Sequence, residues 1–279
     1  MRDIGILKIK SHEPALPLIQ GGMAVGISLD GLSAAVASAG GVGTIGTAGI
    51  GMTIEGYARN FKQASIEGLK NVIRKARSKT DGLLGVNIMV ALTNYQDMVV
   101  TALREKIDMI ISGAGLPLDL PSYLEEGSKT AIIPIVSSLK SAKVILKRWF
   151  GKFRYIPDAF IVEGPKAGGH LGYRVEDLQS QEFSLSSTIP QVRQLTEEIK
   201  REYGKDVPVI AAGGIFERED VQEMFELGAS GVQVGTAFIG TQECDADIRF
   251  KQALIEAKKE DIVIIKSPVG MPGRAIRNK

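Results

Sequence analysis

Ten residues, EGPKAGGHLG at 163–172, hold one of only two histidines in a chain of 279, together with four of its 32 glycines. An imidazole so placed, His170, can move protons while the bare backbone beside it leaves room for reactants. It can also be a core histidine hydrogen-bonded to main chain, and the stretch alone leaves both readings open. Two further turns have the make-up of anion sites: AAGGIF at 211–216 and QVGTAF at 233–238. Without a Cβ, Gly213, Gly214 and Gly235 let backbone N–H groups approach a phosphate, and Thr236 adds a hydroxyl. A third bare turn, QGGM at 20–23, could bring main chain to another part of the same ligand. Asn87, in GVNIM, offers an amide donor and acceptor in an otherwise apolar run.

These residues need a scaffold that brings them to one place. Eight short runs rich in Val and Ile recur, at 16–20, 41–46, 83–89, 107–112, 131–137, 158–164, 207–213 and 230–236. Several are continuously apolar, as strands buried on both faces are. Helical patterns lie between them, at 28–40, 54–79, 94–106, 138–150, 189–204 and 218–229, the last with Gly228 placed for a left-handed cap. Eight strands alternating with helices predict an α/β fold, the TIM (β/α)8 barrel. A doubly wound open sheet is the rival, but it would leave the last two glycine turns without a shared task. In a barrel, QGGM, Asn87, SGAGLP, Ser137–Ser138, EGPKAGGHLG, AAGGIF and QVGTAF all fall at the C-terminal ends of strands, on one face. The turns after strands seven and eight are the usual phosphate site of that fold. A phosphate at one end and an amide-lined opening for a flat ring suggest a nucleotide-like cofactor such as a flavin.

Composition narrows the class. With 34 basic and 32 acidic side chains, the balance gives no reason to expect a nucleic-acid partner. The basic end GRAIRNK reads as a solvated tail rather than a phosphate patch. One cysteine, Cys244, excludes an intrachain disulfide and reads as a structural thiol. His12, in the polar lead-in KSHEP, reads as surface, and no metal cluster is legible, so no metal is expected. No run reaches the ~18 apolar residues of a membrane span, and the start lacks a signal-peptide pattern. A cytoplasmic enzyme is the expectation.

In this order, LPLIQGGM, AGGVGTIG, GVNIM, EGPKAGGHLG, PVIAAGGIF, GASGVQVGTAF and SPVGMPGRAIRNK resemble the nitronate monooxygenases, once called 2-nitropropane dioxygenases. They also resemble the related FMN-dependent enoyl-acyl-carrier-protein reductases. The resemblance runs over nearly the whole chain, and AGGHLG followed by AAGGI and QVGT is specific. It implies one FMN-binding TIM-barrel domain over 1–279. It places Gly21, Gly22, Met23, Asn87, Glu163, Gly168, Gly169, Gly213, Gly214, Gln233, Val234, Gly235 and Thr236 around the FMN, with Ser137 a weaker member. It makes His170 the active-site histidine, the base that takes the proton α to a nitro group. On a pre-formed nitronate the same ring would orient or stabilise the anion. The implied partners are small molecules: a nitronate or an enoyl thioester, O2 and, in the reductase version, NAD(P)H. A homodimer is the assembly to test.

Some residues depart from the nitronate pattern. Many nitronate monooxygenases carry glutamine in place of Glu163 and arginine in place of Leu171, whereas the enoyl reductases tend to carry glutamate and an aliphatic residue. VNIMVALTNYQDMV, SGAGLPLDLP and the stretch 173–191 instead resemble a branch grouped with the nitronate enzymes. Family members normally continue beyond GRAIRNK with helical residues, so this end reads as a cut, and the missing residues would cover part of the flavin site. Three readings are carried forward: a nitronate monooxygenase, an enoyl-thioester reductase, and a catalytically idle flavin-binding barrel.

Overall fold

Strands that pack a barrel interior on one face and a helix layer on the other must be apolar on both. That is why these runs read as unbroken Val and Ile instead of alternating. A computed structural model of the protein describes residues 5–267 and 270–277. The strands in chain order are β1 (Leu18–Gln20), β2 (Gly43–Gly46), β3 (Leu84–Met89), β4 (Met109–Gly113), β5 (Ala131–Val136), β6 (Phe160–Glu163), β7 (Gly169–His170), β8 (Val209–Ala212), β9 (Gly231–Val234), β10 (Ile262–Lys266) and β11 (Pro272–Ile276). Eight of them pair in parallel in the order β1-β9-β8-β6-β5-β4-β3-β2. The ring closes where Val42 donates its N–H to the Leu18 carbonyl and Gln20 donates to the Val42 carbonyl, each at 2.9 Å. The fold is a TIM (β/α)8 barrel, as the sequence pattern predicts.

Two apolar layers hold it together. Ile19, Val42, Met109, Ile111, Ile133, Ile161 and Ile210 fill the interior, with Leu7 and Ile9 from the lead-in packed into the same cluster. On the outer face Val86, Ile110, Ile132, Phe160, Val209 and Val232 meet the helix layer, including Leu69, Val99, Trp149 and Val192. Each fully buried side chain of this size contributes about 1.5–3 kcal/mol. Trp149 is buried with its indole N–H donating to the Pro117 carbonyl at 2.9 Å, so its polar atom costs nothing.

The helices are α1 (Asp30–Ser38), α2 (Phe61–Arg77), α3 (Tyr95–Arg104), α4 (Leu139–Phe153), α5 (Leu185–Tyr203), α6 (Arg218–Glu226), α7 (Thr236–Ile239) and α8 (Ile248–Glu256). The helical pattern at 54–79 is not one helix. Gly56 takes a left-handed φ of 71° inside it, and α2 begins only at Phe61, after the Asn60 side chain accepts from Gln63 N–H. α5 starts four residues earlier than its pattern suggests, because Ser184 caps it. Gly228 adopts the expected left-handed conformation at φ 97°. Asp245, beyond α7, accepts from the N–H groups of Leu29, Gly31 and Leu32, and so caps α1 from a distant part of the chain. Cys244 is buried beside it, its thiol on the Ile27 carbonyl.

One feature was not legible in the strand pattern. β10 and β11 form an antiparallel hairpin, and β11 also pairs with β7, so that Gly273 lies opposite His170 and Arg274 opposite Gly169. GRAIRNK is therefore not a solvated tail over its described part: Arg274 is half-buried and bonded into the barrel mouth. Pro268, Val269, Asn278 and Lys279 of the SPVGMPGRAIRNK stretch, and Met1–Ile4 of the lead-in, lie outside the described residues.

Candidate active site at the barrel mouth

β6 ends at Glu163, and the chain then turns through Pro165–Gly168 before β7 presents His170. This segment is held from three sides. Ala167 donates back to the Gly164 carbonyl at 3.1 Å, Leu171 N–H donates to the Pro272 carbonyl at 2.8 Å, and Arg274 Nη1 donates to the carbonyls of Pro165 and Ala167, each at 2.7 Å. The Tyr173 hydroxyl donates to the main-chain oxygens of Glu163 and Ser137, tying the ends of β6 and β5 together. Ser138, the residue after Ser137, caps α4 through a reciprocal bond with Ser141.

These elements enclose a cavity of about 440 Å³. Glu163, His170, Ser137, Ser141, Tyr173 and Arg174 supply its polar wall, Leu116, Ile135, Val136 and Leu171 its apolar wall, and Met271–Pro272 of the hairpin its cover. Ala114, in the SGAGLP turn at its edge, holds a left-handed φ of 52° that a non-glycine residue rarely adopts. His170 Nε2 is buried with no hydrogen-bond partner among the described residues. Such an atom costs about 1–3 kcal/mol unless a ligand satisfies it. Burial pushes the imidazole below its ordinary value, so the ring is neutral near pH 7 with a lone pair to offer. Burial raises the Glu163 carboxyl to about 7. It also raises the Tyr173 phenol, with the Glu163 charge adding to the effect, and so keeps it protonated.

The remaining residues named from sequence do not line this cavity; several of them meet one another at the turns after β1, β3 and β9, and the histidine segment touches that group through Gly168. Gly21 N–H donates to the Val234 carbonyl at 2.8 Å, and a Cβ on Gly21 would lie 3.4 Å from the Gly235 Cα, so the turns after β1 and β9 touch. A Cβ on Gly22 would fall 2.3 Å from Asn87 Cβ and 3.0 Å from Thr44 Cγ2; glycine there makes room for the asparagine. Met23 N–H donates to Ser28 Oγ, and Met23 Sδ stands 3.6 Å from where a Gly235 Cβ would be. A Cβ on Gly168 would lie 3.6 Å from Thr236 Oγ1, which links the histidine segment to the QVGT turn. The side-chain oxygens of Thr44 and Gln233 are, like His170 Nε2, buried and without a partner among the described residues.

The AAGGIF turn works differently from the reading made on its glycines. Both Gly213 and Gly214 have positive φ, 96° and 77°, but the space their missing side chains leave is taken by protein. A Cβ on Gly213 would sit 3.0 Å from Ala167 N and Cβ, and one on Gly214 would sit 2.6 Å from Lys166 Cβ. These glycines let the histidine segment pack onto the β8 turn. What they offer an anion is backbone: the N–H groups of Gly214, Gly235 and Thr236 find no acceptor among the described residues. The orphaned side-chain oxygens of Thr44 and Gln233, the free N–H groups after adjacent strands and the Asn87 amide are a donor and acceptor set that fits a phosphate joined to an amide-rich ring.

His12 lies at the other end of the barrel, its Nε2 2.9 Å from the Lys129 carbonyl just before β5, and is no part of the site. Among the described residues no cluster of three His, Cys, Asp or Glu could hold a metal, and no helix is long and apolar enough to cross a membrane. Sequence reading missed Tyr173, Arg274, Thr44 and Met271–Pro272. Tyr173 and Arg274 lay inside stretches already singled out, but their roles depend on contacts 10 or more than 100 residues away.

Comparison with known proteins agrees with this geometry. The family model described as nitronate monooxygenase matches residues 6–279. A probable nitronate monooxygenase from Staphylococcus aureus (strain Newman) is 30% identical over 94% of this chain and 76% of its own length. Among solved structures, FabK from Thermotoga maritima superposes with a TM-score of 0.72 at 29% identity, covering 95% of this chain and 72% of that one. Nitroalkane oxidase from Streptomyces ansochromogenes superposes with a TM-score of 0.74, covering 95% of this chain and 78% of that one; at 24% identity it speaks for the fold alone. With a family model spanning almost all of its length and a curated relative at this identity, the chain belongs to the nitronate monooxygenase family.

Proposed function

We propose that this family member is an FMN-dependent enzyme that oxidises alkyl nitronates with O2, with His170 as its active-site base. The observation that carries the reading is His170 Nε2, buried, without a partner among the described residues and set in the wall of the mouth cavity that Glu163 also lines. The residues that would hold FMN are Gly21, Gly22, Met23, Asn87, Ser137, Glu163, Gly168, Gly169, Gly213, Gly214, Gln233, Val234, Gly235 and Thr236. The N–H groups of Gly214, Gly235 and Thr236 would serve the phosphate, and the amides of Asn87 and Gln233 the ring. Bound there, the flavin would supply the electron transfer to O2.

The chain's own residues do the rest. His170 Nε2 accepts the proton as the C–H bond α to the nitro group breaks and the electron pair moves onto the nitro oxygens. The resulting imidazolium then stabilises the nitronate anion. A substrate that arrives as nitronate needs only this second role. Leu171, Leu116 and Ile135 exclude water on the apolar side. Arg174, at the rim, favours an anionic substrate. The single domain over 1–279 and a cytoplasmic location belong to the same proposal.

A second reading is an FMN- and NAD(P)H-dependent enoyl-acyl-carrier-protein reductase. It draws on Glu163 and Leu171 in the histidine segment and on the likeness to FabK. The test is an absorption spectrum of the purified protein, followed by anaerobic mixing with ethylnitronate and, separately, with NADH and NADPH. Flavin bleaching by the nitronate alone, lost in His170→Ala, is the expected result. Bleaching only by a nicotinamide, with reoxidation by crotonyl thioester, selects the reductase. Bound flavin with no turnover by either route leaves an idle barrel, and a protein that takes up no FMN refutes all three.

A further inference from the structure

His170 lies on a strand of only two residues, too short to hold itself in place. Its main chain pairs on one side with β11, a strand about 100 residues further along the chain, and the register sets Gly273 against His170 and Arg274 against Gly169. The turn leading into it would be free to move, since Gly168 and Gly169 have no side chains and Gly169 sits at φ 74° with nothing within 4 Å of its Cβ position. One side chain crosses from β11 to that turn. Arg274 Nη1 bonds the Pro165 and Ala167 carbonyls at 2.7 Å each. No carboxylate among the described residues pairs with it, so its charge is spent on these two carbonyls. Ala167 and Lys166 in turn rest on Gly213 and Gly214. The arginine thus connects the C-terminal hairpin, the histidine segment and the turn after β8.

We propose that Arg274 is a positioning residue for His170: by fastening the 165–168 turn to β11 it holds the imidazole at the cavity wall and keeps water from it. The inference builds on His170 as the working base, but it concerns the ring's environment and is measured separately from turnover. Burial is what lowers the ring's pKa; of the charged and titratable groups on the surrounding elements, Glu163 from β6 and Tyr173 and Arg174 from the chain after the ring line the same cavity, while Lys166 and Arg274 flank the turn before it, against Gly214 and on the Pro165 and Ala167 carbonyls. In Arg274→Met none of the others changes.

The chain has two histidines, so imidazole NMR resolves two titrating signals, and His12→Gln identifies the one that belongs to His170. In the protein as purified, with flavin content recorded by absorbance, His170 should titrate below the ordinary value of 6.5. In Arg274→Met its titration should move up toward that value as water reaches the ring. Arg274→Lys, which keeps a donor for the carbonyls, should leave it where the wild type has it. Nitronate turnover in Arg274→Met should fall in kcat by about 10- to 100-fold with KM little changed. An unmoved His170 titration in Arg274→Met overturns the proposal. If that variant does not fold, hydrogen exchange in the wild type decides: protection of the Ala167 amide, which bonds the Gly164 carbonyl inside the turn that Arg274 fastens, comparable to barrel amides supports the strap, and exchange at the rate of an open loop refutes it. A titration shift in a protein that oxidises no nitronate would refute the proposed function and leave Arg274 in its positioning role.

Discussion

Replacing Glu163 by Gln tests the electrostatics of the mouth without changing its shape. The carboxyl ends β6 and faces the cavity, and Tyr173 donates to its main-chain oxygen rather than to the acid. Burial alone raises it from 4.5 to about 7. The folded protein therefore binds this proton more tightly than the unfolded chain does. Its contribution to stability is whole below pH 4.5, is lost as pH rises and levels off above about 7. At 1.36 kcal/mol per pH unit that displacement corresponds to about 3 kcal/mol as an upper bound. The side chain retains some exposure to the cavity, and water there reduces the expected loss to about 1–2 kcal/mol. Glutamine has nothing to titrate. Urea unfolding of flavin-free wild type and Glu163→Gln at pH 5 and pH 8 should show the variant gaining about 1–2 kcal/mol on the wild type across that interval. Equal pH dependence in the two proteins would refute the reasoning, because it would mean the carboxyl is solvated or paired in the folded state.

His170 has the opposite sign. Burial lowers its folded value, so the unfolded chain binds the proton more tightly and the fold loses stability as pH falls below 6.5; the acid limb of kcat/KM should lie below 6.5, and a limb above it would contradict a desolvated ring. His170→Ala should cut nitroalkane turnover by about 10²–10⁴-fold while leaving the flavin spectrum intact; wild-type turnover would remove the base from the mechanism. Gly22→Ala places a Cβ 2.3 Å from Asn87 Cβ and should destabilise the protein by about 1–3 kcal/mol and weaken FMN retention, measured by thermal unfolding and by flavin released on dilution. Asp245→Ala strips the acceptor from the N–H groups of Leu29, just before α1, and of Gly31 and Leu32 in its first turn, and should lower the unfolding free energy by about 1–2 kcal/mol; an unchanged midpoint in urea would show that water replaces the cap without loss.

Much of this architecture could be read directly from the residue order. Strands such as MIISG in β4 and VIAA in β8 are buried throughout, and residues apolar on both faces satisfy only a sheet covered on both sides. Alternation with helices then makes a barrel, and the barrel puts every turn after a strand on one face, which is why His170, Asn87 and the glycine turns could be grouped beforehand. Local chemistry was legible as far as one residue's own backbone reaches: Gly228 needed a left-handed conformation and took one. What only the tertiary structure decided depends on contacts between residues far apart in the chain. It showed that Gly213 and Gly214 accommodate Ala167 and Lys166, that Gly22 accommodates Asn87, and that Tyr173 joins two strand ends. It also turned a short basic segment into the strand that holds the histidine, because Arg274 and the Pro165 carbonyl are 109 residues apart and no local pattern records which distant carbonyl a guanidinium will meet.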